Sequence, residues 1–461
     1  LYICIKFDIY QDSFFLLMKN YFLLFLLFTK ILFAQNESKS MSLSEAVELS
    51  LTYNLEMQNA NKELEKAYKE KWKTISIGLP EITSSFVYQN YIELPTSLVP
   101  AEFFGGKSGE FAEINFGTEQ TANASIKLNQ LIFDGTYIIG LQGIKLFLDV
   151  AQNVKKKTEQ YVKSSVISAY TNLLLSKENL KILRLNSSNL KQNIIETQEL
   201  FENGFIEEES LEQLKLTYNE IMSQLNYAEE LEKIFGQMLN FIVGFDLESK
   251  VILTDSLEGL ALKSSDKNEF INNFDIENNL DFKIALNNVY EKKLFYRLEK
   301  AKSLPSISAF YNAGYTGNSN SFTFTEKNQK WFSSSLFGLK VDFPIFSSLG
   351  RSASSQKAKL TLDQAQLSLE IAEKNINLKY QKIKTEYYMQ LEKYFTSKEN
   401  LELAERIERK NQIKFFEGLS GSFDLRQAQL QLYSAQSTYL NSMKNLINKK
   451  YELELIINES L

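Results

Sequence analysis

Residues 351–416 read RSASSQKAKLTLDQAQLSLEIAEKNINLKYQKIKTEYYMQLEKYFTSKENLELAERIERKNQIKFF, and this run decides the fold. It holds no Pro and no Gly and is rich in Lys, Glu, Gln, Ala and Leu, all good helix formers. At about 1.5 Å per residue it extends roughly 100 Å, several times the usual helix length. A helix that long has no place inside one globular core, so it is predicted to be a pillar packed along other pillars. Gly418 and Gly421 stop it, and the chain resumes helical spacing at Phe423 and Leu425 and runs back.

A second copy of the pillar lies upstream. Residues 144–203 are again free of Pro and Gly and end at Asn203-Gly204, and another helical run starts near Leu211. The steps from Gly204 to Leu211 and from Gly418 to Leu425 are equal. Lys127-Leu-Asn-Gln-Leu-Ile-Phe133 matches Lys340-Val-Asp-Phe-Pro-Ile-Phe346, and Asn54-Leu55 precedes Leu79-Pro80 by the spacing at which Asn279-Leu280 precedes Leu304-Pro305. Each half therefore reads helix, strand, strand, long helix, glycine tip, helix. A repeat this long is a duplicated domain and not a solenoid unit.

Composition excludes several function classes. The chain has 461 residues and a net charge of −6, which is no nucleic-acid footprint. It contains no His, the commonest general base and transition-metal ligand. Its one Cys, Cys4, lies ahead of the predicted mature chain, which removes thiol chemistry and thiolate metal sites. No cofactor is expected. Aromatic residues reach 13%, with 34 Phe and 23 Tyr, and so many in a helical protein need a surface to explain them.

Met18-Lys19-Asn20, an apolar core at 21–28 and Ile31-Leu-Phe-Ala34 read as a secretory signal over 18–34, with residues 1–17 an over-extended start. A membrane anchor is the competing reading, but the apolar run is short and Lys30 interrupts it. Residues 42–77 read as one amphipathic helix opened by a Ser42-Leu-Ser-Glu45 capping box. Strands are predicted at 82–91 and 120–133, with 94–119 a long loop rich in Pro and Gly; a second hairpin spans 306–315 and 331–343. All five prolines lie in or beside the hairpins, with Pro80, Pro305 and Pro344 at the strand–helix junctions.

In the last strand Trp331, Ser333, Ser335, Phe337, Leu339, Val341 and Phe343 share one face, with Ser334, Gly338, Lys340 and Asp342 on the other. Ten residues or a little more is the length of a tilted transmembrane strand; a soluble hairpin packed on a helix would read similarly. Four strands cannot close a barrel, and strands in lipid leave no open edge. The smallest bacterial barrels have about eight. If these strands span a membrane, copies of the chain must share one barrel; three copies would supply twelve strands, and this argument leaves two or four copies open.

The helices fit a tunnel below such a barrel. Leu211, Leu214, Tyr218, Ile221, Leu225, Ala228, Leu231, Phe235, Met238 and Ile242 form a seam at coiled-coil spacing, and Leu425, Ala428, Leu432, Ala435, Tyr439, Ser442 and Leu446 form another. A coiled-coil spacer carries the same signal. The carboxylates Glu405 and Glu408, beside Arg406 and Arg409, read as a solvated helix face and give an enzyme reading no support. The organisation is thus a first repeat at 41–243 (hairpin 80–133, long helix 135–203, short helix 207–243), a linker at 244–277, and a second repeat at 278–457 (hairpin 305–346, long helix 347–416, short helix 423–457).

Together these features resemble the outer-membrane efflux protein family, the TolC-like channels. The best local match is Glu417-Gly-Leu-Ser-Gly-Ser-Phe-Asp-Leu-Arg-Gln-Ala-Gln429, which is similar to the family's helix-turn-helix tip. The resemblance implies a mostly α homotrimer with a small β part: a twelve-stranded barrel in outer-membrane lipid continued by a periplasmic coiled-coil tunnel. It also implies a periplasmic adaptor (membrane fusion) protein and an inner-membrane RND or ABC transporter as partners, in efflux or type I secretion. The tips, turned by Gly204, Gly418 and Gly421, would then form the periplasmic aperture. Asp424 matches the family's first acidic position there; Gln427 stands at the second and Ser420 at the basic one. Ser210 stands where a locking partner would be, beside Glu207, Glu208, Glu209 and Glu212, and the acidic lining is expected from Glu209 and Glu212 as well as Asp424. Asp424 also reads simply as an N-cap or first-turn carboxylate. A functional alternative from another class is an envelope coiled-coil adaptor or structural protein without a pore.

Overall fold

The computed structural model describes residues 39–266 and 274–457. The leader, the residues before it, and Asn272 and Asn273 of the linker lie outside the described residues. Two repeats of matching size follow one another. The first holds α1 (Leu43–Tyr53), α2 (Leu55–Ser76), β2 (Glu81–Asn90), β5 (Gln120–Asp134), α3 (Gly135–Glu202) and α4 (Glu208–Val243); the second holds α6 (Leu280–Ala301), β7 (Ser306–Ser319), β8 (Trp331–Asp342), α7 (Gly350–Phe416) and α8 (Ser422–Ile457). The equivalents α2 and α6 have 22 residues each, α3 and α7 have 68 and 67, and α4 and α8 have 36 each. The chain is mostly helical with a small strand part, in the duplicated order expected.

Two compact units arise: one from the described residues up to 62 with 154–282 and those from 373, the other from 63–153 and 283–372. The second unit carries an antiparallel sheet in the order β2-β5-β7-β8. The two hairpins therefore join through their inner strands β5 and β7, and among the described residues β2 and β8 are left as open edges. Pro80 and Pro305 stand just before β2 and β7, where no ladder donor is required. Pro344 follows β8, and its carbonyl accepts from Arg351 Nη2 at 2.6 Å.

The stretch at 94–119 is not the plain loop its prolines and glycines suggest. It forms a small hairpin of β3 (Thr96–Pro100) and β4 (Phe111–Asn115), with a 3-10 turn at Ala101–Phe104. Pro95 and Pro100 bound β3, and Gly105, Gly109 and Gly117 take positive φ in the turns around it. The breakers shape this hairpin instead of abolishing it.

The helical unit contains the larger core. Val162, Val166, Ile167, Tyr170 and Leu173 of α3 pack with Ile383, Tyr387, Leu391 and Tyr394 of α7 and Leu440, Met443, Leu446 and Ile447 of α8. The linker folds onto this core. Its strand β6 (Val251–Leu253) pairs in parallel with β1 (Lys39–Met41), and its helix α5 (Leu257–Lys263) buries Leu257, Leu260 and Ala261. Tyr170 donates its hydroxyl to Met41 O at 3.1 Å and Asp255 Oδ2 at 3.0 Å, and Asp255 also accepts from Leu43 N at 2.7 Å. Burial, then the charge of Asp255, pushes the Tyr170 phenol above its ordinary pKa. Tyr387 donates to Ser264 O at 2.9 Å, and Phe274 stacks on Tyr380 with ring centroids 4.3 Å apart.

Residues 42–77 do not form one helix. The Ser42 capping box is present, but Asn54 divides the run. Its Oδ1 accepts from Met57 N at 3.1 Å, capping α2, and its Nδ2 donates to Ile242 O in the last turn of α4 at 2.7 Å. Asn279 repeats the device: Oδ1 accepts from Asp281 N at 2.9 Å, and Nδ2 donates to Ile456 O in the last turn of α8 at 2.9 Å. The duplicated Asn-Leu is therefore a clasp that caps one helix and satisfies the end of another.

The seam of α4 holds through Leu211, Leu214, Ile221 and Ala228, all buried, and then moves. Leu239 and Val243 are buried farther along, while Met238, assigned to the seam, is exposed. A strict heptad repeat drifts by about 20° per heptad around a straight helix, which carries the contact stripe to the next residue.

Candidate functional site

The register assigns every strand residue to a face. Ile82, Leu128, Tyr311 and Phe337 lie in one row across the sheet; Ser84, Ile126, Ala313 and Ser335 in the next; then Phe86, Ala124, Tyr315 and Ser333; then Tyr88, Ala122, Gly317 and Trp331. The opposite face carries Thr83, Lys127, Asn312 and Leu336, then Ser85, Ser125, Gly314 and Ser334. Asn123, Thr316, Asn129, Lys340 and Asp342 continue that second face. One face is thus largely aliphatic and aromatic, the other largely polar. The apolar face is not covered: Ile82, Phe86, Ile126, Phe337 and Leu339 are all exposed. Gly338 makes room on the polar side, since a Cβ there would stand 2.4 Å from Phe310 Cζ. An apolar face, a polar face and aromatic residues near the strand ends are the pattern of a barrel wall with lipid outside and water inside.

At the other functional element, the two tips are built alike. Gly204 N donates to Phe201 O and Phe205 N to Leu200 O, both at 2.9 Å; Gly418 N donates to Phe415 O at 3.0 Å and Leu419 N to Lys414 O at 2.7 Å. Gly204 and Gly418 hold φ of 79° and 72°. This is the Schellman termination, in which a residue without Cβ enters the left-handed region and the last carbonyls regain donors. Gly421 stands in open space outside that region.

Hydrogen bonds join the tips to each other. Ser210 Oγ donates to Ser422 Oγ at 3.1 Å, Ser422 Oγ to Gln213 Oε1 at 3.3 Å, and Gln213 Nε2 to Glu209 Oε1 at 3.0 Å. The partner of Ser210 is thus Ser422 and not Ser420, whose hydroxyl is buried with no hydrogen-bond partner among the described residues. The sequence marks Ser422 and Gln213 only by place: Ser422 opens α8, and Gln213 stands one turn after Glu209 on α4. Asp424 lies exposed in the first turn of α8, so it faces the helix dipole without serving as the N-cap. Gln427 and Glu212 are exposed as well.

Above the second tip the expected solvated face is largely present: Glu405, Arg406 and Arg409 are exposed, and Glu408 is half-buried. Partial desolvation pushes the Glu408 carboxyl above the usual carboxylate range, against the smaller opposing effects of Gln429 and Arg409. Gln412 Nε2 donates to Asn193 Oδ1 at 3.0 Å nearby on α7 and α3. Among the described residues no group of His, Cys, Asp and Glu could hold a metal ion, and no helix is long and apolar enough to cross a membrane.

A channel protein of the outer membrane is the class that an open-edged two-faced sheet and paired helix tips define. Residues 276–459, the second repeat, match the family described as outer membrane efflux protein. The fold is similar to that of the outer membrane protein VceC from Vibrio cholerae, at 14% identity over 90% of this chain and 95% of that one, with a TM-score of 0.69. It is similar to the CmeC outer membrane channel of Campylobacter jejuni (17% identity, 90% and 85% covered, TM-score 0.72) and to the open-state MtrE outer membrane channel of Neisseria gonorrhoeae (14%, 90% and 88%, TM-score 0.66). No curated protein matches the chain in sequence. The second repeat thus carries the sequence of the outer membrane efflux family, and the whole fold is TolC-like; the family consists of outer-membrane channels and not of enzymes.

Proposed function

We propose that the chain is a passive conduit of the outer membrane, one subunit of a homotrimer whose three sheets close a twelve-stranded barrel. The sheet carries this reading. Its edge strands β2 and β8 are 10 and 12 residues long, each with one side unpaired among the described residues, and its apolar face is exposed. In lipid an open edge costs several kcal/mol per unsatisfied backbone group, so the edges require neighbours of the same kind. In the conduit, a periplasmic adaptor docks on the helices, and an inner-membrane RND or ABC transporter supplies energy for efflux or type I secretion. The tips form the aperture. Asp424, Glu209 and Glu212 give it negative charge, with Gln427 as neutral lining and the Ser420 hydroxyl turned inside the tip, and carboxylate rings favour cations. Opening is a two-state movement of the tip helices, and the Ser210–Ser422–Gln213–Glu209 chain of hydrogen bonds holds the two tips of one subunit together as they move.

The deciding experiment is purification from outer membranes in detergent, with mass measured by light scattering and conductance in planar bilayers. Three copies and stable channels are expected. A water-soluble monomer that washes from membranes with salt would overturn the conduit and leave the adaptor reading.

A further inference from the structure

The two repeats treat one lysine differently. Lys127 and Lys340 open the matching runs at 127–133 and 340–346, so each repeat places a lysine on its returning strand, β5 or β8. Both lie on the polar face of the sheet. Two residues on, the second repeat has Asp342, and Lys340 Nζ pairs with Asp342 Oδ2 at 2.8 Å. At the equivalent place the first repeat has Asn129. Lys127 is exposed, its cross-strand neighbours are Thr83 and Asn312, and it has no ion-pair partner among the described residues. Glu81 lies in the next row toward the helices, opposite Asn129, and no ion pair joins it to Lys127. In the other direction the rows through Ser85, Val87 and Gln89 hold only Ser, Gly, Val, Asn, Thr, Phe and Gln. From its own row to the far end of the four strands, Lys127 is therefore the one charged residue on the polar face. The apolar face of β2, β5, β7 and β8 holds no Asp, Glu, Lys or Arg.

We propose that Lys127 determines specificity inside the barrel: its three copies form a ring of unpaired cations that favours solutes carrying an anionic group. The inference rests on the homotrimeric conduit, whose symmetry puts the three lysines at one level of the lumen. Rings of Lys or Arg select anions, and the low-dielectric wall around a lumen strengthens the field of its lining charges. The ring is opposite in sign to the acidic tips, so a solute bearing both charges meets a favourable ring at each. Salt limits its reach to about 10 Å at 0.1 M and about 3 Å at 1 M, so the preference belongs to low ionic strength. Lys340 adds little to it, because Asp342 neutralises it at short range.

Block of the detergent-purified full chain in planar bilayers tests the ring, with inorganic tripolyphosphate added on the barrel side in about 0.1 M KCl. The wild type is blocked, and Lys127→Gln needs about tenfold more tripolyphosphate for equal block, the effect of removing three unit charges facing a polyanion. Lys127→Arg keeps the block. Asn129→Asp supplies the counter-ion that Lys340 already has, and it weakens the block as Lys127→Gln does. Asp342→Asn frees Lys340 and strengthens the block. These differences fade in about 1 M KCl. A wild type that tripolyphosphate does not block, or a Lys127→Gln or Asn129→Asp channel blocked as strongly as the wild type, overturns the ring while the conduit stands. Purified protein that conducts no current overturns the conduit, and the ring with it.

Discussion

Removing the side chain of Asn54 tests the logic of the duplication. Asn54 and Asn279 are 8% and 5% exposed, and each serves two helices at once. Asn54→Ala loses the cap on Met57 N–H, worth about 1 kcal/mol, and the bond donated to Ile242 O. Loss of that bond leaves a part-buried carbonyl without its donor, at about 1–2 kcal/mol. The sum, about 2–3 kcal/mol, corresponds to roughly 30- to 150-fold more frequent opening. The opening is local, confined to the first turn of α2 and the last turn of α4. Asn54→Asp separates the two parts: it keeps an acceptor for Met57 N–H but presents a carboxylate to the Ile242 carbonyl, so exchange rises in the last turn of α4 and not at the start of α2. Asn279→Ala acts alike on the first turn of α6 and the last turn of α8. Hydrogen exchange resolved to these turns is the assay. Unchanged exchange at the end of α4 in Asn54→Ala would refute the clasp and with it the reason given for the repeated Asn-Leu.

Other outcomes follow from the same structure. Gly418→Ala and Gly204→Ala force a Cβ into the left-handed region at about 1–2 kcal/mol each, read as faster exchange in the last turn of α7 or α3, whereas Gly421→Ala is nearly silent. Asp424→Ala raises conductance or weakens divalent-cation block in planar bilayers, and identical single-channel traces would remove Asp424 from the aperture. Phe337→Lys puts a charge on the apolar face at about 2–4 kcal/mol in lipid and lowers the yield of assembled protein, while Asn312→Lys on the polar face assembles; equal yields would refute the facing. Tyr170→Phe deletes the bonds to Met41 O and Asp255, destabilising the packing of β1 and β6 on α3 by about 1–3 kcal/mol, measured by proteolysis at the linker.

Chain periodicity alone determined that two long helices recur, each ending at a glycine and each preceded by a hairpin. The runs at 144–203 and 351–416 lack Pro and Gly, and helix formation depends on residues three and four apart, which a sequence displays directly. Gly204 and Gly418 were equally legible, because a helix end is also local chemistry. Where local signals conflicted, the reading slipped. At 94–119 the density of turn residues hid β3 and β4, and at Asn54 an unbroken amphipathic stripe hid a helix boundary.

Tertiary structure decided what depends on partners far along the chain. Ser210 finds Ser422 instead of Ser420 because the turn of the second tip sets which hydroxyl reaches across. The order β2-β5-β7-β8, and hence which strands remain as edges, comes from pairing between the two repeats. A one-residue change of register would exchange the two faces of a strand. Such contacts join residues about 200 positions apart in the case of Ser210 and Ser422, and no local propensity encodes them; they follow from the packing that buries the most apolar surface while leaving the fewest polar groups unpaired.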